Sequence, residues 1–166
     1  LIMRLVLREG VITPHFRPLL SDNEHFLILL LGGASSGKSY FSFQRAIIRC
    51  CQDKRKYLVL RKHATDVRRS CWEDVKSILS SWKILDRVKV NSTLMTMEFP
   101  NGSIIMFTGC DDPEKLKSIP NITDAIFEEA SEFSPTDLDV VKVRLRGKGQ
   151  LRNQIILQTN PISKAN

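Results

Sequence analysis

The sequence predicts an α/β fold, a mostly parallel central sheet flanked by helices with an antiparallel β-hairpin added to it. Three observations carry this prediction. An apolar run over residues 26–31 enters Gly32-Gly33-Ala34-Ser35-Ser36-Gly37-Lys38-Ser39, the GxxxxGK[ST] pattern of a phosphate-cradling P-loop, and a helix-compatible stretch follows it. Apolar strand candidates then alternate with helical stretches, as in a sheet covered on both faces. Pro100-Asn101-Gly102 separates two short apolar segments, and Asn-Gly is a strong hairpin signal.

Along the chain, residues 1–25 contain Pro14 and Pro18 and few periodic positions, and read as a leader packed on the core, its part at a nucleotide base left open. The run 26–31 is continuously apolar, as expected of a strand buried on both faces. Residues 40–51 (YFSFQRAIIRCC) continue as a helix, and 56–60 (KYLVL) form the next strand. Thr65 is placed as an N-cap for a helix reaching about Trp82. Short strands are predicted at 87–90, 94–99 and 103–108, a core strand at 124–127 and a last strand at 154–158. Between those last two, Ser134-Pro135 opens a helix over 134–145.

With 166 residues, 42% hydrophobic, and a mean hydropathy of −0.14, the chain supports one well-buried core. Its longest apolar run is far short of the roughly 20 residues that span a bilayer, which makes the cytosol the default location. Cys50, Cys51, Cys71 and Cys110 have no CxxC spacing, and His15, His25 and His63 are scattered, so no zinc site or disulfide framework is indicated. A net charge of +7 and a pI near 9.4 are compatible with an anionic partner such as nucleic acid, although bound nucleotide accounts for part of the basicity. The basic clusters lie at 54–56, 61–63, 68–69 and at Lys142, Arg144, Arg146 and Lys148, each of which also reads simply as a solvated face.

The P-loop assigns the chain a nucleotide. Backbone N–H groups of the loop and the following helix converge on phosphate oxygens, Lys38 adds a cation, and the Ser39 hydroxyl can ligate Mg²⁺. The cofactor-binding set is therefore Gly32, Gly33, Ala34, Ser35, Ser36, Gly37, Lys38, Ser39 and Tyr40, with ATP and Mg²⁺ as cofactors. In Asp124-Ala125-Ile126-Phe127-Glu128-Glu129 a short apolar strand delivers two carboxylates at its carboxyl end, where open α/β sheets hold their ligands. Glu128 is assigned to the metal and Glu129 to the attacking water. Successive strand side chains point to opposite faces, so the pair can share a task only if the strand ends at Glu128.

The combination of GGASSGKSYF, NGSIIMFTGCDDPEKLKS, AIFEEASEF and LQTNP resembles the ATPase domain of phage terminase large subunits, over roughly residues 26–161. The resemblance implies a P-loop NTPase of the additional-strand type, followed in the family by a ribonuclease-H-like nuclease domain. It implies ATP hydrolysis that drives double-stranded DNA into a procapsid, a homo-oligomeric ring on the portal, a small terminase subunit as partner, no membrane, and the cytoplasm of the infected or lysogenic host. Lys38 and Ser39 match the Walker A lysine and metal-binding serine, Glu128 the Walker B acid, and Glu129 the catalytic glutamate. Thr159, Asn160 and Pro161 match the coupling motif, and an Asn at that strand end can hydrogen-bond to phosphate or water.

Two features depart from the family pattern. Many relatives carry Arg in the P-loop where this chain has Ala34, and some place a trans-acting arginine where this chain has Lys117, which supplies charge without a bidentate fork. Arg61, Arg68, Arg69, Arg144 and Arg146 are the other candidate donors. The chain also has no Met at position 1 and stops at Asn166, with few acidic residues after Glu132, and is read as a single-domain fragment without the nuclease domain. The alternative functions are a helicase- or recombinase-like DNA-dependent ATPase and a nucleotide-gated DNA-binding assembly module with little hydrolysis.

Overall fold

The computed structural model describes residues 5–111 and 113–161. Leu1 to Arg4 of the leader and Asp112 of the DDPEKLKS stretch lie outside the described residues. The strands are β1 (Leu27–Leu31), β2 (Lys56–Arg61), β3 (Lys89–Asn91), β4 (Thr96–Glu98), β5 (Ile104–Gly109), β6 (Asp124–Glu128) and β7 (Gln154–Thr159). They form one sheet in the order β1-β7-β6-β2-β5-β4-β3. Pairing is parallel from β1 to β5 and antiparallel for β5-β4 and β4-β3, so the hairpin addition to a parallel sheet is present. Gly102 turns that hairpin with φ of 82°, a left-handed conformation that glycine adopts without a Cβ penalty.

The helices are α1 (Arg17–Leu20), α2 (Lys38–Gln52), α3 (Ala64–Val67), α4 (Glu73–Ser81), α5 (Pro113–Lys117) and α6 (Pro135–Lys142). Tyr57 and Val59 alternate with Leu58 and Leu60 along β2, and the two sets enter separate apolar clusters on the two faces. One face carries α2 and α4 over Ile28, Leu30, Val59, Ile126 and Ile156. The other carries α5 and α6 through Leu116 and Val141, packed with Ala125, Phe127 and Ile155.

Three expectations need correction. β1 is an edge strand, not one buried on both faces: Ile28 and Leu30 are buried, whereas Leu27, Leu29 and Leu31 are 49%, 60% and 62% exposed. The cause is coverage, since α5 and α6 are short and the apolar cluster they close reaches β2, β6 and β7 but not Leu27, Leu29 or Leu31. Thr65 is not a cap; it lies inside α3, whose preceding residue is His63, and the predicted continuous helix is interrupted by a π turn at Arg68–Trp72. The helix opened by Ser134-Pro135 does form, with a capping box in which Asp137 N–H donates to Ser134 Oγ at 3.2 Å and Ser134 N–H to Asp137 Oδ2 at 2.8 Å, but it ends at Lys142.

The basic residues divide into two populations. Arg45, Arg49 and Arg55 are fully buried, so the 54–56 cluster is not simply a solvated face. Asp124 receives Arg49 Nη2 at 3.1 Å and Arg55 Nη2 at 2.7 Å, Arg55 Nη1 reaches Asp53 at 3.1 Å, and Arg45 Nη2 donates to Gln154 Oε1 at 2.9 Å. Together they tie α2 and the start of β2 to the amino ends of β6 and β7. All four cysteines are free and buried, and burial pushes the Cys51, Cys71 and Cys110 thiols up to about 11, 12 and 11, away from nucleophilic chemistry.

Candidate active site

The loop between β1 and α2 sits at the carboxyl end of the parallel strands. Gly37, immediately before α2, has φ of 82°, and a Cβ on Gly32 would stand 3.1 Å from Ser36 Oγ, so the turn is tight at both glycines. A Cβ on Gly33 would meet nothing within 4 Å, so the fold itself makes no demand for glycine there. The fifteen-residue α2 starts at Lys38, and its N-terminal N–H groups give the loop a positive end suited to phosphate. The leader lies beside this end: Phe16 stacks on Phe41 with centroids 4.6 Å apart, and Gln44 Nε2 donates to Val11 O at 3.0 Å.

The Lys38 ammonium faces four acceptors: Gly32 O at 2.6 Å, Gly33 O at 2.9 Å, Ser36 Oγ at 3.1 Å and Asn160 Oδ1 at 3.0 Å. The Asn160 contact joins residues 122 positions apart and exists because β7 pairs with β1 up to Leu31 and Thr159. Ser39 Oγ donates to Glu128 Oε1 at 2.7 Å. Gln158 Nε2 donates to the other oxygen of Glu128, while Gln158 Oε1 accepts from Ser42 Oγ at 3.1 Å. Both oxygens of Glu128 are thus bonded on the floor of the site.

Glu129 differs in backbone and in partners. β6 ends at Glu128, and Glu129 turns into the left-handed region at φ 55°, ψ 59°. That turn removes the strand alternation that would have sent the second carboxylate to the opposite face. Both glutamates therefore border one cleft of about 350 Å³, shared with residues 34–40, Asp74 and residues 158–160. Among the described residues the Glu129 carboxylate makes no hydrogen bond or ion pair.

Of the residues expected from sequence, Ala34, Ser35, Ser36, Gly37, Lys38, Ser39, Tyr40, Glu128, Glu129 and Asn160 line this cleft, and Gly32 and Gly33 stand behind it holding Lys38. The candidate cations Lys117, Arg61, Arg68, Arg69, Arg144 and Arg146 are not among its lining residues. Arg61 lies between Glu132 at 3.7 Å and Asp66 at 4.0 Å, and Arg68 donates to Ser92 O at 2.6 Å.

Two contributors escaped the sequence reading. Gln158 pairs in register with Glu128, and a polar residue within an apolar strand opposite an acid was the available signal. Asp74 enters from the first turn of α4, directly after the π turn, and no local pattern marks it.

The donor set fits Mg²⁺. A hydroxyl and a carboxylate lie 2.7 Å apart on the floor, both hard oxygen ligands, and Mg²⁺ characteristically takes one or two carboxylates and completes its shell with phosphate and water. Among the described residues there is no cluster of three or more His, Cys, Asp or Glu that could hold a metal ion.

Burial raises the Glu128 carboxyl above its ordinary range, partly opposed by the Ser39 hydrogen bond. A raised carboxyl pKa means folding disfavours the charged form, so this stability penalty grows as pH rises from the unfolded value through the folded one. The midpoint of Glu128→Gln relative to the parent is expected to climb as pH rises through that window, by about 2–4 °C per kcal/mol relieved, on top of a pH-independent loss because its amide cannot accept from both Ser39 and Gln158. Thermal midpoints across pH 4–8 check this; a difference between the two that does not change with pH would count against it.

A family model described as phage terminase large subunit matches residues 24–166. The chain is 32% identical over 155 residues to the PBSX phage terminase large subunit of Bacillus subtilis (strain 168), covering 93% of this chain and 36% of that protein. It is 27% identical over 139 residues to the large subunit of terminase from Bacillus phage SPP1, covering 79% of this chain and 33% of that one. The chain thus spans about a third of the length of these curated relatives. In fold it is similar to the large terminase of a thermophilic bacteriophage, with a TM-score of 0.70, 16% identity, and coverage of 89% of this chain and 37% of that one. A second structure of that thermophilic terminase, in complex with ATP-gamma-S, matches with a TM-score of 0.66 at 16% identity, over 89% of this chain and 36% of that one. With a family model covering nearly all of it and a P-loop fold of the same architecture, the chain belongs to the phage terminase large subunit family.

Proposed function

We propose that this chain is the ATPase unit of a DNA-packaging motor, hydrolysing ATP with Mg²⁺ to drive double-stranded viral DNA into a procapsid. The carrying observation is the 2.7 Å bond between Ser39 and Glu128, which brings the end of the P-loop and the end of β6 to one point from 89 positions apart.

In this reading the loop amides and the α2 N-terminus hold the phosphates, and Lys38 bridges toward the β and γ oxygens. Ser39 and Glu128 would hold Mg²⁺, which when bound neutralises charge on those same oxygens. Glu129 takes the proton of the water that adds in line to the γ-phosphorus, the bond to the bridging oxygen breaks, and ADP and phosphate leave. Asn160, bonded to Lys38, senses whether a γ-phosphate competes for that ammonium and passes the difference into β7.

Ala34 leaves the loop without an arginine of its own. We assign the missing charge to a neighbouring copy in a homo-oligomeric ring on the portal, working with a small terminase subunit in the host cytoplasm. Among the described residues no helix is long and apolar enough to cross a membrane.

The test is phosphate release from Mg²⁺-ATP by the chain alone and with duplex DNA, beside equilibrium binding of a fluorescent ATP analogue. Lys38→Ala is expected to weaken nucleotide binding at least tenfold, about 1.4 kcal/mol or more. Tight nucleotide binding with no phosphate release under any condition, DNA and portal included, would favour the assembly-module reading instead.

A further inference from the structure

The amino ends of the strands, opposite the P-loop, carry a second groove, of about 670 Å³, bordered by Lys54, Lys56, Arg146 and Lys148. A hollow of about 370 Å³ adjoins it, sharing Glu98 and Gly102 and adding Arg87 and Lys89. Six cations therefore follow one track, and Glu98 is the single carboxylate residue that borders it among the described residues. Among the described residues none of the six makes an ion pair there, whereas Arg55, which also borders the groove, is committed to Asp124 and Asp53. Five of the six are exposed, and Lys56 is half-buried with its ammonium on Pro120 O at 2.9 Å.

The two ends of the sheet thus differ in charge balance, Lys38 being the one cation among the described residues that border the cleft at the carboxyl ends. Asp74, Glu128 and Glu129 face the cleft at the carboxyl ends, and the basic track lies at the amino ends, about 20 Å away along the six residues of β2.

We propose that this track binds the phosphodiester backbone of double-stranded DNA. The choice of DNA rests on the packaging reading; the choice of a duplex backbone rests on the groove. Single-strand sites present exposed aromatic rings on which bases stack, and the one aromatic bordering the track among the described residues, Phe99, is buried. Asn121 and Thr123 are the uncharged polar side chains on the groove, and Thr123 Oγ1 is already bonded to the Lys56 backbone, so lysines and arginines dominate the lining, the equipment of sequence-independent phosphate binding. A motor that moves along DNA of any sequence needs that property.

The experiment measures binding of a fluorescent 30-base-pair duplex to the chain across a salt series, for the parent, for Lys54→Glu/Lys148→Glu, and for Lys76→Glu/Lys142→Glu as a control of equal charge change. Removing two phosphate contacts should lower the slope of log affinity against log salt by about 2 and weaken binding more than tenfold near 0.1 M salt, with a much smaller loss in the control. Equal losses in both double variants, or no loss in the first, would overturn the assignment. So would preferential binding of a single strand of the same length, or displacement of the duplex by millimolar inorganic phosphate. Nucleotide binding, read separately, keeps the two readings apart: parent chain that binds duplex through these lysines but no ATP analogue would refute the ATPase assignment and leave this one standing.

Discussion

Glu129→Gln is expected to bind ATP as the parent chain does and to release phosphate about 10²- to 10⁴-fold more slowly, the range general-base catalysis supplies. The expectation follows from how differently two adjacent glutamates are held. Both oxygens of Glu128 are engaged, one by Ser39 and one by Gln158, so that carboxylate is fixed where a cation would meet it. Glu129 borders the same cleft with its carboxylate uncommitted among the described residues, aimed by its left-handed backbone. Glutamine keeps the size and the backbone and removes the negative charge and with it the ability to take a proton from water. Single-turnover phosphate release alongside equilibrium nucleotide binding separates the two effects. Turnover within threefold of the parent would take Glu129 out of the reaction, and a loss of nucleotide binding of the same size would mean that it positions ligand instead.

Asp124→Asn is expected to destabilise the fold by about 3–5 kcal/mol, the loss that follows when one member of a buried ion pair is removed and its partners keep their charge. Asp124 is 0% exposed, and its two oxygens receive Arg49, Arg55 and the backbone N–H of Gln154 at 2.7–3.1 Å. An arginine cannot shed its proton in the folded range, so both guanidiniums would remain charged beside a neutral amide. The measurement is urea unfolding, with the midpoint lowered and the slope unchanged. A change below about 1 kcal/mol would show that the carbonyl contacts of Arg55 with Leu151 and Arg152 suffice without the carboxylate.

Much of the site was legible because it is written in local signals. Gly32 to Ser39 declares its loop through residue type, Asn101-Gly102 its turn, and Ser134-Pro135 its helix start. Glu128 and Glu129 were legible as a pair because an apolar strand ends there, and the structure adds the left-handed turn that lets both border one cleft. What was not legible depends on partners distant in sequence. The hydrophobicity of Leu27, Leu29 and Leu31 promised burial, but coverage depends on where α5 and α6 land, which no property of residues 26–31 records. Arg55 looked like a surface charge between two lysines, and only the position of Asp124, 69 residues later, explains its burial. Asp74 needed the π turn at Arg68–Trp72, a change of helical phase that residue propensities do not encode.

The four acceptors around Lys38 have a consequence for discrimination. An ammonium has three protons, so its bonds to Gly32, Gly33, Ser36 and Asn160 already oversubscribe it, and any anion entering the loop must compete. A lone sulfate or inorganic phosphate would have to displace these contacts using one small group. A nucleoside triphosphate can offset the same displacement with additional phosphate contacts along the loop and further contacts beyond it. If the loop holds a nucleoside triphosphate as proposed, the crowding around this one nitrogen would act as a threshold: it would weaken the grip on small anions more than the grip on a long one, and release of Asn160 would depend on a ligand that carries a terminal phosphate.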